Sequence, residues 1–353
     1  MPDPSTVAAR VSAWEQDGPQ GPMTLELYPT LTCNLSCSFC DTTDRHRAPV
    51  DELSQERLIE IVDEAADMGV QRLFLLGGGE PLLRKRATPA VMARAKEHGM
   101  EGILTTNGTL MNRAVAHQMV AMEWDEVHVS VDGDSARIHD ALRGKPGAFQ
   151  RTVQNACRLS VLRRRSGAHT PRLALHFVLT NANYTSLEGV VELAAAMGAF
   201  RVDFDALIAY TPEQRALMLS EEQRQAVPEI AARALDRART LGIATTLEHF
   251  LNPSSIDRGS SSVPVPAEAG LKGAPCLKAW HYLVVAADGR TSPCCVLSGS
   301  GGSVAEESLK NVWVNDPFLE QVRDGMLVKQ PHSRCTECSM NILAHEAEIR
   351  RHL

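Results

Sequence analysis

The chain has 353 residues, with 36 basic against 43 acidic side chains and a formal net charge of −7. At 44% hydrophobic and 22% charged, it can bury a substantial core. Its acidic balance argues against a nucleic-acid partner, because phosphate neutralisation needs a basic face. No apolar run approaches the roughly 20 residues that cross a bilayer. The start, MPDPSTVAARVSAW, lacks the basic and apolar regions of a secretory signal. The expected compartment is therefore the cytoplasm, with no membrane partner.

Residues 1–22 are rich in Pro, Gly and Ala and read as a short extension. From residue 24 short apolar runs alternate with helical stretches. The pattern predicts strands over 24–31, 71–77, 101–106, 126–132, 172–179 and 200–208. It predicts helices near 54–68, 87–98, 110–121, 148–164, 185–197 and 213–241. In the first helix Leu58, Ile61, Val62, Ala65 and Met68 form one stripe, with Ser54 as N-cap and Gly69 as stop.

Six β–α units in succession imply an α/β fold with a parallel sheet, since each crossover returns the next strand in the same direction. On the fourth strand His128, Ser130 and Asp132 share one face, and on the sixth Arg201, Asp203 and Asp205 do. A polar face on central strands suits an open barrel lumen better than a doubly wound sheet, which buries both faces under helices. The expected core is a partial (β/α)6 barrel over residues 23–250. Residues 251–275 read as a linker rich in Ser, Pro and Gly. A small module of hairpin and helix follows over 276–340, with a helix from Glu307 to Leu327, and a C-terminal helix over 341–353.

Nine cysteines are many for a reducing compartment, and their clustering points to metal ligation before disulfides. Cys33, Cys37 and Cys40 have Cys-x3-Cys-x2-Cys spacing at the end of the first strand. Three thiolates can hold three irons of a [4Fe–4S] cube and leave the fourth open. A zinc site completed by His46 is the competing reading. Near the other end, Cys276 and Cys294 flank the hairpin and Cys335-x2-Cys338 forms a knuckle. These four thiols suit an iron–sulfur cluster or a zinc ribbon. Cys157 and Cys295 are left over, Cys157 reading as a small buried apolar residue.

The first cysteine loop, with Phe39 before its third cysteine, resembles the defining signature of the radical S-adenosylmethionine (SAM) enzymes. Gly78-Gly79-Glu80-Pro81, Thr106-Asn107-Gly108, Ser130-Val131-Asp132-Gly133 and Arg143-Gly144 are similar to motifs that family carries at successive strand ends. The resemblance covers about residues 24–208 and implies SAM contacts at Phe39, Gly78, Gly79, Glu80, Asn107, Ser130, Asp132 and Arg143. The second cysteine set resembles the twitch and SPASM auxiliary-cluster modules of the same enzymes. No cysteine follows Cys338, which implies one fully ligated auxiliary [4Fe–4S] cluster.

The family mechanism then implied is reductive cleavage of SAM at the open iron, fed by a one-electron donor of flavodoxin or ferredoxin type. The resulting 5′-deoxyadenosyl radical removes hydrogen from a C–H bond of the substrate. If the auxiliary cluster takes the remaining electron the outcome is oxidation; if a thiol such as Cys295 returns hydrogen, epimerisation. His128, His176, Asp203 and Asp205 are the catalytic candidates in the expected lumen, the two aspartates as a carboxylate pair. The expected substrate is a small molecule, a sugar or aminocyclitol, because the extension is too short for a leader-binding domain of roughly 80 residues. A ribosomal peptide is the alternative, and a non-catalytic iron–sulfur or zinc scaffold the reading from another class.

Overall fold

Apolar faces assemble the chain as the periodicity predicts. The computed structural model describes residues 3–40, 51–253, 256, 268, 270–297, 299–338 and 340–353. His46 and most of the expected linker lie outside the described residues. The elements run α1 (Pro4–Asp17), β1 (Thr24–Leu27), α2 (Gln55–Asp67), β2 (Arg72–Leu75), α3 (Ala87–Glu97), β3 (Glu101–Thr106) and α4 (Arg113–Ala121). They continue β4 (Glu126–Ser130), α5 (Ala136–Arg143), α6 (Ala148–Arg165), β5 (Arg172–Leu179), α7 (Leu187–Met197), β6 (Arg201–Ala206), α8 (Pro212–Arg215) and α9 (Glu221–Leu241). The last are β7 (Ala244–Thr245), β8 (Tyr282–Val285), β9 (Thr291–Ser292), α10 (Leu309–Asn315), α11 (Pro317–Leu327) and α12 (Met340–Arg350).

One sheet carries the described strands in the order β7-β6-β5-β4-β3-β2-β1-β8-β9. Neighbours from β7 to β8 pair in parallel, and β8 with β9 antiparallel. The order follows the chain and the two edges do not pair, which is the arrangement of a barrel left open. Alternation divides the strands into two faces. Leu25, Leu73, Leu75, Leu104, Val127, Val129, Leu175, Phe177 and Val202 join the core formed with the helices. The opposite face carries Glu26, Phe74, Glu126, His128, His176, Asp203 and Asp205, in register across neighbouring strands.

Four expectations change. The N-terminal extension is helix α1, capped by Asp3, with Val7, Ala8 and Val11 buried against Leu277, Trp280 and Ile349. Asp3-Pro4 is the N-cap and first-turn signature, with apolar residues four apart behind it. The helix expected over 213–241 is two, because Ser220 and Gln223 form a capping box that starts α9 anew. The helix expected from Glu307 to Leu327 breaks at Asp316-Pro317, where proline opens α11. The C-terminal hairpin does not form a sheet of its own: β8 pairs with β1, Thr24 opposite Tyr282 and Glu26 opposite Val284, and extends the main sheet.

Candidate functional site

The cysteine loop after β1 is held from several sides. Gly79 N–H donates to Thr30 O at 2.9 Å and Glu80 N–H to Thr32 O at 2.9 Å. A Cβ at Gly79 would stand 2.0 Å from Thr32 O, so only glycine lets these backbones meet. Glu80 is buried, accepting from the Thr106 hydroxyl at 2.7 Å and from the backbone N–H of Asn107 at 2.8 Å and of Leu82 at 3.1 Å. Burial raises its pKa, with those hydrogen bonds opposing. Asn107 donates to Asn34 Oδ1 at 2.9 Å, and Asn34 to the Thr109 hydroxyl at 2.8 Å.

The far side of the loop rests on the end of α5. Ser38 N–H donates to Leu142 O at 2.9 Å and Ser36 N–H to Arg143 O at 3.3 Å. Arg143 pairs with Asp132, brings Nη1 to 3.6 Å from Cys37 Sγ, and lies 5.3 Å from the Phe39 ring. Asp132 is 0% exposed, and its other oxygen accepts from Val178 N–H at 2.9 Å. The carboxylate of Asp132, one of the expected SAM contacts, ties the segment after β4 to β5 and to Arg143. Burial pushes the Cys37 thiol up to about 11, with Arg143 opposing. His139 is buried and accepts from Asp132 N–H at 3.2 Å; burial, then Arg143, lowers it to about 4.

Thus Cys33, Cys37, Cys40, Phe39, Gly78, Gly79, Glu80, Asn107, Ser130 and Arg143 gather around the C-terminal ends of β1 to β4, where parallel barrels bind ligands. The three thiols pack around Leu35, Phe39 and Ala148. This fits a cluster held by three thiolates beside a polar shelf.

The polar face below is a network of paired charges. Glu126 binds His128 at 3.0 Å and also pairs with Arg172, while Arg201 binds Asp203 at 2.9 Å. Burial alone would raise Glu126, but hydrogen bonds from His128 and Arg172, with the charge of Arg201, hold it at about 2. His176 binds Asp205 at 3.1 Å. Burial opposes its protonation, yet Asp205 and Asp203 raise its pKa. The expected carboxylate pair is therefore two ion pairs: strand alternation puts Asp203 and Asp205 on one face, but each has its own cation.

Across the lumen, Glu26 accepts from Tyr28 at 2.7 Å and from Tyr282, and Lys278 Nζ lies 3.7 Å from the Tyr282 ring centre. Sequence reasoning missed this group because its members come from β1 and from a strand 250 residues later. Gln214 was missed too. Its amide donates to Cys40 O at 3.0 Å and accepts from Tyr210 N–H at 2.7 Å. The Thr211–Gln214 capping box was its only signal.

Cys276, Cys294, Cys335 and Cys338 line one cavity with apolar side chains such as Val296, Leu297, Val322 and Met326. Cys295 is not part of that lining and is exposed. Among the described residues no three His, Cys, Asp or Glu side chains form a group that could hold a single metal ion. Zinc needs its donors to converge on one point, whereas a cube takes each thiolate on a separate iron. The leftover Cys157 is half-buried on α6, packed against the main core. Among the described residues no helix is long and apolar enough to cross a membrane.

Comparison with known proteins bears on the two cysteine sets separately. The radical SAM superfamily model matches residues 27–171, and an iron–sulfur cluster-binding (SPASM) domain model matches residues 276–339. An AdoMet-dependent heme synthase of Methanosarcina barkeri is 26% identical over 327 residues, 90% of this chain and 86% of its own. A PqqA peptide cyclase of Granulibacter bethesdensis is 26% identical over 324 residues, 89% of this chain and 79% of its own. In fold the chain is similar to Streptococcus suis SuiB, with a TM-score of 0.68 at 18% identity, over 89% of this chain and 70% of that one. The chain is a radical SAM enzyme with a C-terminal SPASM/twitch-type iron–sulfur domain.

Proposed function

We propose that the enzyme oxidises, cross-links or epimerises a ribosomally made peptide at an unactivated C–H bond. The observation that carries this reading is the lumen wall. The Arg201–Asp203 ion pair and the His176–Asp205 and Glu126–His128 hydrogen bonds line adjacent strands, with the Tyr28 and Tyr282 hydroxyls on β1 and β8 beyond. Such a wall suits the amides and polar side chains of a peptide, which can hydrogen-bond to it, better than a broad apolar ligand, which cannot. Likeness to a peptide cyclase over 89% of the chain agrees. The sugar or aminocyclitol reading has no comparable support from these relatives.

The strand-end cluster and SAM supply a hydrogen-abstracting radical when loaded and reduced by a flavodoxin- or ferredoxin-type donor. This chain's own groups do the rest. Glu80 and Asn107 fix the polar shelf, while Arg143 and Phe39 brace the cysteine loop. His176, held protonated by Asp205, can donate a proton to the substrate, and Cys295 offers a thiol on the auxiliary side. Likeness to a heme synthase over 90% of the chain supports a second reading, a porphyrin substrate.

The test is anaerobic turnover with deuterated short peptides encoded beside the gene, and with a deuterated porphyrin and amino sugar as competitors. Deuterium in 5′-deoxyadenosine from a peptide, with that peptide losing two hydrogens or inverting a centre, is expected. Transfer from the porphyrin or the sugar alone would overturn the peptide reading.

A further inference from the structure

Lys278 is absorbed by none of the roles above, and its surroundings are unusual for a lysine. It opens the turn Lys278–Trp280 two residues beyond Cys276 and lines the cavity of the four auxiliary thiols. No other Lys, Arg, Asp or Glu lines that cavity among the described residues. Its ammonium is fixed 3.7 Å from the Tyr282 ring centre. The nearest carboxylate beyond that ring, Glu26, is already engaged by the hydroxyls of Tyr28 and Tyr282. Tyr282 thus stands between acid and base, and among the described residues Lys278 forms no ion pair. Glu346 approaches from the other side, 3.8 Å from Cys276 Sγ, but accepts from Leu277 N–H at 2.6 Å and faces His281 at 3.3 Å.

We propose that Lys278 raises the reduction potential of the auxiliary cluster and so equips it to accept the electron left on the substrate radical. The inference rests on the four cysteines being the ligands of that cluster. Reduction adds one negative charge to a group already carrying four thiolates, in an apolar cavity where charge is poorly screened, and no bond is made or broken. A single unpaired cation on the wall stabilises the reduced form over the oxidised one.

The test is an anaerobic redox titration followed by electron paramagnetic resonance. The full-length chain would carry Cys33, Cys37 and Cys40 as alanine, so that only the auxiliary signal remains. Lys278→Met and Lys278→Gln are each expected to shift the midpoint potential negative, and Lys278→Arg to keep it near that of lysine. An unmoved potential in either neutral variant that holds its iron overturns the proposal, as does an equal shift in the arginine variant. If both neutral variants lose the cluster, Lys278 is a structural support and the proposal fails. Absence of any auxiliary signal with lysine in place would instead break the ligand assignment on which the inference rests.

Discussion

The two cysteine sites are built in opposite ways. At the strand ends, the loop of Cys33, Cys37 and Cys40 is tied by hydrogen bonds to the β2 and β3 ends, to α5 and to Gln214. In the auxiliary module the four thiols come from three segments, Cys276, Cys294 and the Cys335–Cys338 knuckle, gathered around apolar side chains. A site that must leave one iron open and receive a polar cosubstrate needs donors and acceptors fixed beforehand. A site that encloses its metal needs shape, and the metal itself joins the segments.

The largest expected effect breaks this comparison outright. Replacing Cys33, Cys37 and Cys40 with alanine should remove about four irons per chain and abolish SAM cleavage, yet leave the melting temperature nearly unchanged. Replacing Cys276, Cys294, Cys335 and Cys338 should also remove about four irons, but leave SAM cleavage measurable and lower the melting temperature. Iron analysis, 5′-deoxyadenosine yield and thermal melts on both variants check it. Equal melting temperatures would show that the metal does not hold the auxiliary segments together.

Next in size is the Asp132–Arg143 pair, which braces the strand-end loop from within. Both groups are buried, with Asp132 at 0% exposure. Arg143→Met would leave that carboxylate without its counter-charge, and losing one partner of a buried pair typically costs about 3–5 kcal/mol. Urea melts should show the loss, and adding Asp132→Leu should recover part of it, because the two residues act as one unit. A loss below about 1 kcal/mol, the scale of an exposed pair, would mean that water reaches the pair.

How far these sites were legible differs for the same physical reason. Cys33, Cys37 and Cys40 lie within eight residues on one loop, and Gly79 and Glu80 mark a strand end, so local spacing reveals them. The elements followed, because a 3.6-residue stripe such as Leu58, Ile61, Val62 and Ala65 buries one helix face wherever that helix packs. Spacing cannot say that β8 pairs with β1, nor therefore that Tyr282 faces Glu26. Nor can it say that Asp203 and Asp205 find different cations, since Arg201 and His176 come from different strands. Partners distant in sequence are set by topology, and topology was read only as far as the repeated β–α units carried it.

The lumen wall sharpens the comparison through pH. Glu126 is held at about 2 in the folded chain against an ordinary 4.5. A depressed carboxylate contributes its stability above the unfolded value and loses it as pH falls through the folded one. The window is therefore from about pH 4.5 down to about 2, and the contribution is about 3 kcal/mol at most. His139, lowered to about 4 from 6.5, loses its contribution over a higher window, from about pH 6.5 to 4. Glu126→Gln should flatten the acid limb below pH 4.5 and leave the His139 limb in place. An unchanged acid limb would mean that other carboxylates dominate it.

The smallest expected effect concerns Gln214, where the loop after β6 meets the strand-end site. Its side chain accepts from Tyr210 and Thr211 N–H and donates to Cys40 O. In the same loop Tyr210 lies 5.3 Å from Arg334, next to the auxiliary ligand Cys335. One short segment thus touches the surroundings of both cysteine sites. Gln214 is buried, so Gln214→Ala leaves Tyr210 N–H, Thr211 N–H and Cys40 O without this partner, at a cost of about 1–3 kcal/mol. Gln214→Glu keeps the two acceptor bonds and loses only the donor to Cys40. If that donor fixes the cysteine loop, both variants should lose strand-end iron faster in air than the native chain, with auxiliary iron unaffected. If only the alanine variant does, Gln214 serves its own loop, and the two cysteine sites are joined through the sheet alone.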